Sequence, residues 1–409
     1  MKKADFLFRA MIIALIVFGS TNTYSQDWPQ WRGINRDGKV TGFKAPPTFP
    51  AALKQQWKVT VGFGDATPVL VKGRIYLSTR QGNDEVILCL DAATGKELWK
   101  NTYQAMAVTG PASSHPGPRS TPAAADGKVV TFGVSGILSC LDASNGKLIW
   151  RKDNPANAFP TFFTGMSPII VNGMCIAHVG KTDDGEVLAL DLNTGNEKWK
   201  WSGDGPAYAS PSVMTIDGMK HLIVQTEKNL ISLNLSDGKL IWQVATPVQQ
   251  RFYNCVSPYI DGQTIYYTGQ GLGMKAIKVE KQGNQYVTKE LWSNTEVGAK
   301  WNTPVLINGF LYGFTDTRKI YCLNATNGKT AWIDTNPSSD FASIVDCGSV
   351  IIGLAGITSN LIIMKPVNTA YTEVAKYKVS ETPIYASPVI SGNDIYIKDA
   401  ESLILYKLN

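Results

Sequence analysis

The stretch CLDAATGKELW, residues 89–99, limits the possible folds of this chain more than any other, because nearly the same phrase returns four more times. It comes back as CLDASNGKLIW ending at Trp150, ALDLNTGNEKW at Trp199, SLNLSDGKLIW at Trp242 and CLNATNGKTAW at Trp332. In every copy an Asp or Asn stands four residues before a Gly, and that Gly stands four before a Trp. The residues leading into the phrase, as in EVILCLD, alternate apolar and polar, the period of a strand with one face on a core. The Asp or Asn side chain caps a turn, the Gly supplies a position free to take positive φ, and a short strand carries the Trp.

A second signal recurs upstream of the phrase: Thr67-Pro68, Thr121-Pro122, Ser167-Pro168, Ser210-Pro211, Ser257-Pro258, Thr303-Pro304 and Ser387-Pro388. Each opens an apolar run, a Gly- or Asp-containing turn and another apolar run, which adds two strands per unit. FASIVDCGSVIIG near residue 343 aligns with YASPVISGNDIYI if Ile344 replaces the proline, giving an eighth unit. Units of 40 to 51 residues, counted from one Trp position to the next, suit four-stranded propeller blades. The expected fold is all-β: an eight-bladed β-propeller of four-stranded antiparallel blades over residues 51–409, behind a lead segment at 26–50. After Tyr377 only three strands fit, around 384–390, 394–398 and 402–408, so the strand containing Trp57 is expected to complete the last blade and close the ring by pairing the two termini. Two units depart from the pattern. The fifth has KVEKQGNQYVTKELW ending at Trp292, and the seventh has MKPVNTAYTEVAKY with Tyr377 at the Trp position.

Residues 1–25 read as a secretory signal peptide: Lys2, Lys3 and Arg9 precede the apolar run 10–18, and Thr23 and Ser25 suit a cut after Ser25. The run is too short to span a bilayer of about 30 Å as a helix. No Cys precedes Cys89, so a lipoprotein signal is not expected, and the protein is expected to be periplasmic or secreted with no transmembrane segment in the mature chain. Cleavage there leaves 36 basic and 32 acidic residues, lowering the net charge from +6 to +4. Without a Lys/Arg block, this gives no reason to expect nucleic acid as a partner. Of the six cysteines, Cys89, Cys140 and Cys322 share one position of the phrase with Ala189 and Ser232, and read as small packing residues with free thiols.

DAATGKELW and DASNGKLIW resemble the tryptophan-docking motif of the pyrroloquinoline quinone (PQQ) type propeller repeats, over about residues 50–409, and DWPQWRGINRDG (27–38) resembles the start of many secreted proteins with these repeats. That family includes quinoprotein alcohol dehydrogenases and the propeller subunit of the outer-membrane β-barrel assembly machinery. WD40 and kelch signatures are missing. For a dehydrogenase the resemblance implies adjacent cysteines beside the quinone, acidic and amide ligands for Ca²⁺ and a catalytic aspartate. The sequence has no Cys-Cys pair and no Cys-x-x-Cys-His haem site. His115, His178 and His221 lack zinc-site spacing, KTDDGEV (181–187) lacks the oxygen ligands of a calcium loop, and no Gly-x-Ser-x-Gly elbow occurs. No catalytic residue, metal or cofactor is therefore expected, PQQ being the one the resemblance raises.

One constellation survives. Three residues before each landmark proline, or before Ile344, stand Asp65, Arg119, Gly165, Tyr208, Cys255, Trp301, Phe341 and Tyr385. Equivalent residues of a cyclic repeat lie on a circle, so these should ring one mouth of the central channel. Four aromatics, an Arg and an Asp there suit a sugar ring, a peptide or a flat cofactor. Arg251, Phe252, Tyr253, Asn254, Lys300 and Asn302 could extend that surface. The expected binding residues are Asp65, Arg119, Tyr208, Arg251, Tyr253, Lys300, Trp301, Phe341 and Tyr385. The function expected is a monomeric, non-enzymatic scaffold binding an envelope protein or glycan, the alternative being a PQQ-dependent alcohol or sugar dehydrogenase.

Overall fold

The computed structural model describes residues 26–154, 156–248, 253–339 and 341–408; the expected signal peptide, Arg251 and Phe252 lie outside them. The chain folds as eight four-stranded antiparallel sheets set in a ring, an eight-bladed β-propeller. Blade 1 comprises Val69–Val71, Arg74–Gln81, Asp84–Asp91 and Glu97–Gln104, ordered from the axis outward, and blades 2 to 7 repeat that order. Blade 8 takes Val389–Ser391, Asp394–Lys398 and Ser402–Lys407 from the C-terminus and its outer strand, Lys54–Thr60, from the N-terminus. Trp57 pairs with Leu405, so the ring closes as its missing strand requires. The innermost strand of that blade is shorter than the 384–390 span expected, because residues 385–388 lead into the channel before pairing begins. A single 3₁₀ turn, Gly110–Ala112, is the helical content of the described residues.

The repeated phrase joins neighbouring blades. Asp91 Oδ1 accepts the Thr94 N–H at 2.9 Å, and Asp142, Asp191, Asn234 and Asn324 cap their turns in the same way. The turn glycines Gly95, Gly146, Gly195, Gly238 and Gly328 sit at φ of 70° to 73°, which an L side chain rarely adopts. Each also lies under the indole of the preceding blade. A Cβ on Gly195 would fall 2.8 Å from the Trp150 ring. The indole N–H of Trp150 donates to Leu192 O at 3.0 Å, and Trp57, Trp99, Trp199 and Trp292 donate to the corresponding carbonyls of Ala92, Ala143, Leu235 and Ala325. Across the outer ladder Trp99, Trp150, Trp199, Trp242 and Trp332 face Cys89, Cys140, Ala189, Ser232 and Cys322, which is why that position is small. All six cysteines are free.

The irregular units alter this docking where expected. Blade 5 has no capped turn, and the Trp242 Nε1 that would reach it is buried without a partner, packed instead with Val279 and Tyr286. At blade 7, Trp332 donates to Val367 O at 3.0 Å, and Tyr377 sends its hydroxyl to Pro50 O at 2.8 Å.

Around the axis the Ser/Thr of each landmark forms a second set of links. The backbone N–H groups of Thr121, Ser167, Ser210, Ser257 and Ser387 donate to the hydroxyls of Ser167, Ser210, Ser257, Thr303 and Thr67, one blade onward, at 2.7 to 3.2 Å. The lead segment then crosses the axis. Trp28, fully buried, exchanges both backbone hydrogen bonds with Leu70 of blade 1; Arg36 donates to Ser167 O and Pro168 O of blade 3; Arg32 donates to Thr303 O and Pro304 O of blade 6 and Ile344 O of blade 7. Both arginines stand at φ 59°, a left-handed conformation that their hydrogen-bonding surroundings hold in place.

Candidate functional site

With the lead segment across one end, the channel becomes a funnel: a cavity of about 440 Å³ with Trp31 and Arg32 in its lining. All eight residues three before the landmarks, Asp65, Arg119, Gly165, Tyr208, Cys255, Trp301, Phe341 and Tyr385, line it, although the first and last are 320 residues apart in sequence. Each blade supplies one, because the backbone just before an innermost strand points its side chain into the axis. Tyr253 joins the lining. Lys300 is not part of it but holds its ammonium 4.9 Å from the Trp301 ring centre, a cation–π contact. The landmark hydroxyl residues form the next layer down, so the funnel has an aromatic mouth and a hydroxyl belt.

The aromatic side chains pack on one another. Trp301 and Phe341 are stacked with centroids 5.1 Å apart and planes 9° off parallel, and Tyr385 meets Phe341 edge-on at 5.1 Å. On the opposite wall Tyr208, Tyr253 and Phe162 make mutual edge contacts at 5.1 to 6.2 Å. Such contacts fix ring positions before a ligand arrives, lowering the ordering cost of binding.

The long connections after blades 1 and 2 build the remaining wall. Asp65 accepts from, or pairs with, His115 across 2.7 Å, and the His115 ring stands edge-on to Tyr385 at 4.6 Å. Arg119 directs its guanidinium to Phe162 O at 3.0 Å and His115 O at 2.9 Å, which ties these two connections together. It thus braces the mouth with the fork that would otherwise face a ligand, and burial lowers its pKa from the usual arginine value. Burial also lowers Arg32 to about 10 and Arg36 to about 9, so both stay protonated at neutral pH. The roles of His115, Phe162, Trp31 and Arg32 in this site were missed from the sequence, since none belongs to the repeat; the density of Trp, Arg and Gly in DWPQWRGINRDG was the available signal.

The lining does not fit PQQ with its Ca²⁺. Asp65 is the one carboxylate lining the cavity among the described residues, and it is engaged by His115. The Asn302 amide is spent on both backbone groups of Phe314. Among the described residues no group of three or more His, Cys, Asp or Glu could hold a metal ion, and no two cysteines adjoin in sequence.

Comparison with known proteins agrees with the architecture. The family described as outer membrane protein assembly factor BamB matches residues 50–115 and 83–334. Outer membrane protein assembly factor BamB of Burkholderia pseudomallei is 23% identical over 362 residues, covering 84% of this chain and 85% of that protein. Quinohemoprotein alcohol dehydrogenase ADH IIB of Pseudomonas putida is 32% identical over 140 residues, 34% of this chain, and the match spans only 20% of that enzyme's length. The crystal structure of BamB from Moraxella catarrhalis superposes with a TM-score of 0.65 at 13% identity, covering 87% of this chain and 98% of that one, a likeness of fold. The chain belongs to the PQQ-like propeller family described as outer membrane protein assembly factor BamB.

Proposed function

We propose that this protein is a non-enzymatic scaffold of the bacterial cell envelope that recognises a protein or glycan at the mouth of its funnel. The observation that carries this reading is the convergence of one residue from each of the eight blades on one cavity with an aromatic, cation-bearing mouth and, among the described residues, no ligand set for a quinone–metal pair. Among sequence matches, relatives matched over most of their length are assembly factors by name, whereas the dehydrogenase match spans a fifth of the enzyme. An exported, soluble mature chain is consistent with the signal-peptide reading and with the described residues, where no helix is long and apolar enough to cross a membrane. Asp65, Arg119, Tyr208, Tyr253, Lys300, Trp301, Phe341 and Tyr385 form the recognition surface, with Arg251 at its edge in sequence.

The test is site-specific photo-crosslinking in cells, with the reactive side chain at Tyr385 in the mouth or at Leu148 on the outer strand of blade 2. The expected result is one envelope partner captured from position 385, lost on adding Trp301→Ala. Capture from position 148 alone would move recognition to the outside of the disc and end the reading.

A further inference from the structure

The funnel has an excess of hydrogen-bond donors and of positive charge, and both come from its lower half. Arg32 is 5% exposed; its four N–H bonds go to the carbonyls of Thr303, Ile344, Pro304 and Asp37, and its Nε has no partner. Arg36, equally buried, spends its donors on Ser167 O, Pro168 O and the Gln30 side chain, and its Nε too is unpartnered. Neither arginine forms an ion pair among the described residues, and neutral carbonyls do not cancel a charge. Arg32, which lines the cavity, therefore gives the floor a buried cation without a salt-bridge partner, and Arg36 stands outside the lining over the same Trp31 ring, an arrangement that favours an incoming anion.

The belt above adds neutral donors. A hydroxyl that accepts an N–H still has its own hydrogen to give. Ser167, Ser210 and Thr67 each accept such a bond, and none of the described residues takes their hydrogen in return. Ser343, in the blade whose Ile344 stands at the proline position, has an Oγ with no partner, and the Trp301 indole N–H above is also unpartnered. Several acceptors are meanwhile engaged: one Asp65 oxygen by His115, and carbonyls at the inner strands of blades 3, 6 and 7 by the two arginines.

We propose that the funnel floor is an anion subsite that takes the carboxylate of an acidic sugar, a uronate, whose ring packs at the Trp301–Phe341 wall. The inference rests on the mouth reading above and names its ligand class. A cavity of about 440 Å³ falls within the ~300–1,000 Å³ range of small-ligand pockets. A uronate brings a carboxylate and a ring oxygen that only accept, and hydroxyls that accept as well as donate, to a donor-rich wall. A peptide terminus would bring amide N–H groups that find few free acceptors here, and a buried unmatched donor is costly.

The experiment is calorimetric titration of the full secreted chain with digalacturonate, with neutral galactobiose, and with a tetrapeptide bearing a free C-terminal carboxylate. Indole fluorescence gives a second readout, because Trp31 and Trp301 line the cavity. Digalacturonate is expected to bind saturably and at least tenfold more tightly than galactobiose, with affinity falling several-fold as salt is raised. Trp301→Ala should weaken it at least tenfold. Arg32 also ties blades 6 and 7, so Ser343→Ala is the second variant, expected to fold like the parent and bind several-fold more weakly. If galactobiose binds as tightly as digalacturonate and Trp301→Ala weakens both, the mouth reading stands and the anion subsite falls. Binding of the peptide but not of digalacturonate overturns the inference in favour of a protein terminus. No binding by any probe overturns the acidic-sugar assignment while leaving the crosslinking result to judge the mouth, and digalacturonate binding untouched by both variants refutes the location.

Discussion

Trp150→Ala should lower the stability of the whole ring without touching the funnel. The Trp150 side chain is buried at 8% exposure between blades 2 and 3, lies against Gly195 and donates to Leu192 O at 3.0 Å. Truncating a packed Trp typically costs ~3–5 kcal/mol, within which the lost indole hydrogen bond contributes about 1 kcal/mol. Unfolding entropy of ~2.1 cal/mol/K per residue makes the melting midpoint of a chain this long fall by about 5 °C for ~4 kcal/mol. A second comparison isolates the hydrogen bond. Trp150→Phe keeps most of the apolar contact but leaves Leu192 O with only the weak Cys140 thiol donor at 3.5 Å, whereas Trp242→Phe removes an N–H that has no acceptor to lose. Trp242→Phe should therefore be milder by ~1–3 kcal/mol in urea unfolding followed by circular dichroism. Equal losses in the two Phe variants, or a Trp150→Ala protein that melts like the parent but no longer binds its partner, would refute the docking role.

Ser167→Ala deprives the buried Thr121 N–H of its acceptor and should cost ~1–3 kcal/mol in urea unfolding, while Ser343→Ala, with no bond to lose, should be near neutral. His178 is 3% exposed, donates from Nε2 to Asp204 O at 3.0 Å, and has a pKa lowered to about 4 chiefly by burial. Its unfolded form binds a proton near pH 6.5, so its contribution is complete above that pH and is lost as pH falls towards 4; ~2 kcal/mol should be gone by pH 5, and His178→Gln should flatten that part of the stability profile measured by urea midpoints. Arg119→Ala releases the carbonyls of Phe162 and His115, and should speed amide hydrogen exchange in residues 110–116 several-fold with the blade strands unchanged.

The blades were legible because every strand pair in them except the closing one, Lys54–Thr60 with Ser402–Lys407, is local: the phrase ending at Trp99 carries its own turn, and the landmark at Thr121 marks the next innermost strand. Cyclic repetition then extended local pattern to long range, placing Asp65 beside Tyr385's side of one cavity. The floor had no such help. Arg32 meets Thr303 across 271 residues, and Asp65 meets His115 across 50, with nothing periodic to relate them. His115 consequently read as a histidine without zinc-site spacing, and Arg119 as a binding residue, since the carbonyls that occupy its fork belong to connections whose paths no repeat dictates. The altered docking at blades 5 and 7 was visible as broken phrases, but what replaces it, an unpartnered Trp242 indole in one case and the Tyr377 bond to Pro50 in the other, depends on three-dimensional packing.

A propeller of quinoprotein-like architecture that serves recognition and not quinone chemistry should leave PQQ unbound. The decisive measurement is titration of the purified protein with PQQ in the presence of Ca²⁺, followed by calorimetry and indole fluorescence. The expected result is no saturable, Ca²⁺-dependent binding and no alcohol or sugar oxidation by the mixture in a dye-linked assay. Stoichiometric, Ca²⁺-dependent binding of PQQ that is abolished by Trp301→Ala and accompanied by dye reduction would contradict it.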